Sequence, residues 1–90
     1  MLVIKRDGRT VDYDRVKIEV AIRKANAEVE ESERATDQEI ESILSYIESK
    51  KCKRMLVEDI QDIIEQKLMA EKKFVLAKTY IIYRLPIEYH

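Results

Sequence analysis

Side chains able to do chemistry are few in this chain of 90 residues, and those that stand out gather near its start. Lys5, Arg6 and Arg9 surround an Asp7-Gly8 pair, and Lys17 follows shortly after. Covalent and metal chemistry are hard to build from the remainder. The only histidine is His90, the last residue, which leaves no histidine-based metal centre or catalytic triad. The only cysteine is Cys52, which allows neither an internal disulfide nor a cysteine-rich zinc site. Glu30-Glu31 and Glu58-Asp59 are adjacent pairs, so on a helix their carboxylates point apart. Gly8 is the only glycine, and one glycine cannot make a Gly-rich phosphate loop. No catalytic residue and no protein metal ligand is expected. What remains is the capacity to gather an anion.

Lys17 carries the clearest hint. Asp14 is a suitable N-cap for a helix, which puts Lys17 in that helix's first turn. A cation there opposes the helix dipole at a cost of about 0.3–1 kcal/mol, so a neighbouring anion is worth looking for. An ion pair with Asp14 accounts for Lys17 equally well. Free backbone N–H groups at the same helix start would add to an anion pocket. Along the preceding strand Lys5 and Arg6 alternate, so at most one points inward unless the strand bulges. Tyr13, Tyr80 and Tyr83 offer an aromatic wall, although core packing is the commoner role for tyrosines at helical spacing.

Positioning these groups requires a hairpin and several helices. Asp-Gly favours a two-residue hairpin loop, which sets Arg6 opposite Arg9, Ile4 opposite Val11 and Leu2 opposite Tyr13. Leu2, Ile4, Val11 and Tyr13 then form the apolar face, and Val3, Lys5, Thr10 and Asp12 the other. The first helix runs from Asp14 to about Ala27 on Ile18, Ala21, Ile22 and Ala25, widened by Val16 and Val20. Glu28 to Arg34 reads as a polar loop. Thr36 and Glu39 have the spacing of a capping box, and Ile40, Ile43, Leu44 and Ile47 follow as a stripe ending near Ser49 to Lys51. Met55-Leu56-Val57 suggests a short third strand. Glu58 and Asp59 suit the first turn of a third helix carrying Ile60, Ile63, Ile64 and Leu68. Phe74 to Arg84 forms a fourth, with Ala77, Tyr80, Ile81 and Tyr83 facing the core and Pro86 ending it. The expected fold is α+β, mainly α: a small four-helix bundle capped by a β-hairpin or three-stranded sheet.

Composition narrows the function classes. Seventeen basic and eighteen acidic residues leave a formal charge of −1, which disfavours a general nucleic-acid binder despite the Lys50 to Arg54 cluster. A lone cysteine suits a reducing, cytoplasmic setting. The longest apolar run, Phe74 to Tyr83, is too short for a membrane span and is interrupted by Lys78.

Val3-Ile4-Lys5-Arg6-Asp7-Gly8-Arg9, followed by Val11, Tyr13-Asp14 and Lys17-Ile18, resembles the opening signature of the ATP-cone domain. Ala77-Lys78-Thr79-Tyr80-Ile81-Ile82-Tyr83-Arg84 is similar to its close. The resemblance covers residues 1–84 and implies a four-helix bundle under a small sheet that binds ATP or dATP, with Mg2+, as an allosteric module. It also implies that Lys5 and Arg6 touch the nucleotide from the cap. Val11, Asp12, Tyr13, Asp14 and Lys17 would line the adenine and phosphates, and Tyr83 and Arg84 would approach from the last helix. Val57 stands where family members often carry Thr or Ser, so one hydroxyl contact is missing. Leu85-Pro86-Ile87-Glu88 replaces the usual basic continuation, and residues 85–90 read as a tail or linker to a further domain.

The resulting expectation is a non-catalytic ATP/dATP-binding regulatory domain from the N-terminal part of a ribonucleotide reductase, of anaerobic or archaeal type. A repressor parent is disfavoured, because its zinc ribbon would precede the domain. Expected partners are the catalytic domain of the parent or a second cone, with no membrane and no nucleic acid. The alternative is a degenerate cone that binds no nucleotide and serves in protein assembly.

Overall fold

The computed structural model describes residues 1–89, with side chains described as far as Tyr83. Strands β1 (Leu2–Ile4) and β2 (Thr10–Asp12) lead into helix α1 (Arg15–Ala27). A 3-10 turn, Glu31–Glu33, precedes α2 (Asp37–Ser49). Strand β3 (Arg54–Leu56) runs directly into α3 (Val57–Ala70), and α4 (Phe74–Tyr89) closes the chain. The architecture is α+β: four helices with a three-stranded sheet ordered β2-β1-β3, antiparallel on one side of β1 and parallel on the other.

The hairpin register differs from expectation by one residue. Val3 pairs with Val11, Leu2 with Asp12 and Ile4 with Thr10. The cause is the loop. Lys5 N–H donates to Arg9 O at 2.8 Å and Gly8 N–H to Lys5 O at 2.9 Å, so Arg6-Asp7-Gly8 forms a three-residue loop. Gly8 supplies the left-handed residue of that loop, at φ 90°. A slip of one residue exchanges the two faces of a strand. Val3, Val11 and Lys5 therefore share the row toward the helices, in place of Leu2 and Ile4. Val3 is buried, as is its β3 partner Met55.

Helix starts follow local chemistry. Asp14 caps α1 by accepting from Val16 N–H, and Thr36 with Glu39 completes the capping box on α2. The ends are less regular, because no glycine is present to turn the chain. Lys51 (φ 52°) follows α2 and Lys72 (φ 62°) follows α3. At α3, Lys72 N–H reaches Met69 O and Lys73 N–H reaches Leu68 O, both at 2.9 Å, a Schellman arrangement with lysine in the left-handed position.

Ile22, Ile40, Leu44, Ile47, Ile64, Leu68 and Leu76 are fully buried at the centre of the core. Val16 and Val20 do not widen the α1 stripe, and Ile81 does not join the α4 stripe. These residues lie on the solvent sides of their helices, and Leu76 takes the core position that the fourth helix needs. Nor does α4 stop ahead of Pro86; it runs to Tyr89.

Candidate functional site

The row of β1 and β2 that faces the helices roofs a cavity of about 250 Å3, partly open to solvent. Its apolar walls include Val3 and Val11 from the sheet, Ile18 and Ala21 from α1, and Val57 and Ile60 from α3. Tyr13 and Tyr80 add aromatic rings. Lys5, Arg9, Lys17, Asp12, Asp14 and Gln61 supply the polar groups. Three cations and two carboxylates thus border one apolar hollow.

The cations differ in how they are held. Among the described residues, the Lys5 and Lys17 ammonium groups make no hydrogen bond or ion pair. Arg9 is fixed by Asp7, whose carboxylate accepts from Arg9 Nε at 2.6 Å and from its backbone N–H at 3.0 Å. That backbone bond, followed by the guanidinium, holds the Asp7 carboxyl below the usual carboxylate range. Asp14 forms no ion pair with Lys17, since its carboxylate is engaged by Val16 N–H at 3.0 Å. The helix start is also less open than expected, because Lys17 N–H already donates to Asp14 O at 3.2 Å. Positive charge at this cavity therefore comes mainly from side chains.

Of the expected nucleotide residues, Lys5, Val11, Asp12, Tyr13, Asp14, Lys17 and Val57 line this cavity together. Arg6 does not. Alternation turns it from Lys5, and its Nε lies 3.4 Å from Glu58 in the first turn of α3. Tyr83 is also elsewhere, its hydroxyl donating to Glu28 Oε1 at 2.8 Å; Tyr80, one turn earlier, lines the cavity instead. The Arg84 side chain lies outside the described residues.

Gln61 was not foreseen. It is the buried polar residue among those described, 4% exposed, on the α3 wall one turn beyond Val57. A polar residue inside the Ile60, Ile64 and Leu68 stripe was the available signal, and its amide suits the polar edge of a planar ligand. No three His, Cys, Asp or Glu side chains among the described residues cluster as a metal ion would require. Among the described residues, no helix is long and apolar enough to cross a membrane.

The model of the ATP cone domain family matches residues 1–86. The chain is 34% identical over 93 residues to the ribonucleoside-diphosphate reductase subunit alpha of Chlamydia trachomatis, and 36% identical over 93 residues to that of Chlamydia muridarum. It is 36% identical over 88 residues to the vitamin B12-dependent ribonucleoside-diphosphate reductase of Thermoplasma acidophilum. Each match takes in 91% of this chain but only 9–11% of the relative's length.

Proposed function

Because the chain belongs to the ATP cone domain family, we propose that its cavity takes ATP or dATP and that the domain regulates a ribonucleotide reductase from that reductase's N-terminal part. One observation carries this reading: Lys5, just past β1, and Lys17, in α1, make no hydrogen bond or ion pair among the described residues and border the same apolar hollow. An apolar site rimmed by unpaired ammonium groups suits a ligand that is flat and apolar at one end and polyanionic at the other.

The volume is consistent with that division. About 250 Å3 falls just below the usual range for small-molecule pockets, roughly 300–1,000 Å3. Base and sugar fill the hollow between Tyr13, Tyr80 and the α3 wall, while the phosphates lie at its mouth beside Lys5, Arg9 and Lys17. Gln61 offers its amide to the base. Mg2+ arrives with the triphosphate, held by phosphate oxygens. Regulation is the domain's whole contribution: it brings an effector site to a catalytic region supplied by the parent, in the cytoplasm. Residues 1–84 make up the regulatory unit and residues 85–90 lead out of it, with α4 running through the junction.

A second reading, a cone that serves only in assembly, draws support from two features. Val57 brings no hydroxyl to the cavity, and Phe74, Val75 and Ile82 on α4 are 55%, 49% and 67% exposed, an apolar surface suited to the catalytic region or a second cone. Calorimetric titration with ATP, dATP and GTP separates the readings. Heat from the adenine nucleotides and little from GTP is the expected result; silence with all three supports assembly alone.

A further inference from the structure

Tyr13 borders the cavity, yet its hydroxyl is tied to a helix that contributes no residue to the cavity lining. The phenol donates to Glu48 Oε2 at 2.8 Å, in the last turn of α2 and 35 positions along the chain. The same carboxylate accepts from Arg15 Nε at 2.9 Å, and Arg15 Nη2 reaches Glu41 Oε1 at 3.0 Å, two turns back along α2. Asp14 lies between the two clamped residues and caps α1. The end of β2 and the start of α1, which frame one side of the cavity, are thus fastened to α2 through two glutamates.

Glu48 stands against its local preference. An acidic side chain in the last turn of a helix faces the negative end of the dipole, and α2 has no basic residue in that turn to offset it. The contacts with Tyr13 and Arg15 give the carboxylate its compensation. Glu41 bonds to Arg15 and not to Tyr13, so the two glutamates can be told apart.

We infer that Glu48 is a positioning residue for the effector cavity: by holding the Tyr13 hydroxyl it fixes the aromatic wall, and it makes nucleotide affinity depend on where α2 sits. This rests on the nucleotide reading of the cavity. Because α2 lines none of that cavity, its displacement by a partner would be felt by the ligand through Glu48 and Tyr13.

ATP calorimetry on the wild-type chain and five variants tests it. Tyr13→Phe and Glu48→Ala should each weaken ATP about three- to tenfold, the range set by one hydrogen bond. The double variant should be no weaker than either single one, because both remove the same contact. Glu48→Gln, which can still accept from the phenol, should recover most of the loss, and Glu41→Ala, which leaves the phenol bond in place, should weaken ATP less than Glu48→Ala does. Unchanged affinity in Tyr13→Phe, or additive losses in the double variant, overturns the positioning role while the nucleotide reading stands. Should Glu48→Ala fail to fold, Tyr13→Phe and Glu48→Gln decide the matter. A wild-type chain that takes up no ATP overturns both.

Discussion

Lys17 sits at the end of its helix where a cation is least welcome, and among the described residues its ammonium makes no hydrogen bond or ion pair. A triphosphate would. Charge-assisted hydrogen bonds to phosphate are worth about 1.5–3 kcal/mol, so Lys17→Ala should weaken ATP roughly ten- to a hundredfold in a calorimetric titration. The unliganded fold should be no less stable, since removing the lysine relieves the dipole. Tyr13 gives a second test. Burial first, and then the Glu48 bond, raise its phenol well above the ordinary value near 10. A raised folded-state pKa contributes stability that is present below the unfolded value and is lost as pH rises through the folded one. Alkaline titration of tyrosine absorbance should therefore show phenols that ionise late, since the Glu28 bond raises Tyr83 as well, and Glu48→Ala should advance only that of Tyr13. Asp14 could be read as the cap of α1, and Lys17 as a first-turn residue, because helix capping is a local rule, whereas the inward side of Lys5 depends on the hairpin register. That Arg6 and Tyr83 lie away from this cavity was not legible, because their partners Glu58 and Glu28 are distant in the chain and only the assembled fold brings them near.

Helix starts were legible. The ends of α1, α2 and α3 fall where the sequence places them, but the backbone conformations that make those ends were not legible. Asp14, Thr36 and Glu39 announce α1 and α2 by side-chain chemistry. The chain turns after α2 and α3 through Lys51 and Lys72, residues that give no sequence signal for a left-handed conformation. Such a conformation costs a lysine about 1–2 kcal/mol, only partly offset by glycine's greater freedom when unfolded. Lys72→Gly should accordingly stabilise the domain by about 0.5–1 kcal/mol in a urea melt with unchanged slope. The hairpin shows the same limit from another side. Asp7-Gly8 correctly announces a turn but does not fix its length, and one extra loop residue sends Val3 and Lys5 inward instead of Leu2 and Ile4. Gly8 itself has open space around its Cα but a φ of 90°. Gly8→Ala should thus cost about 1–2 kcal/mol through backbone strain alone, with Gly8→Asn milder.

Across the whole molecule the charge is nearly balanced, so affinity for a polyanion must come from the few cations that the fold places at one cavity mouth. The same placement ties that mouth to the sheet, α1 and α3, so ligand binding and folding stability should be strongly linked. Effector at about a hundred times its dissociation constant adds roughly 2.7 kcal/mol by mass action. In a domain of this size that corresponds to an upward shift of about 10–20 °C in Tm. The most direct test is a thermal melt of the unmodified chain with and without saturating ATP and magnesium. The proposed function predicts a shift of that order with ATP and little with an equal concentration of GTP. A Tm that ATP leaves unmoved at millimolar concentration would contradict it.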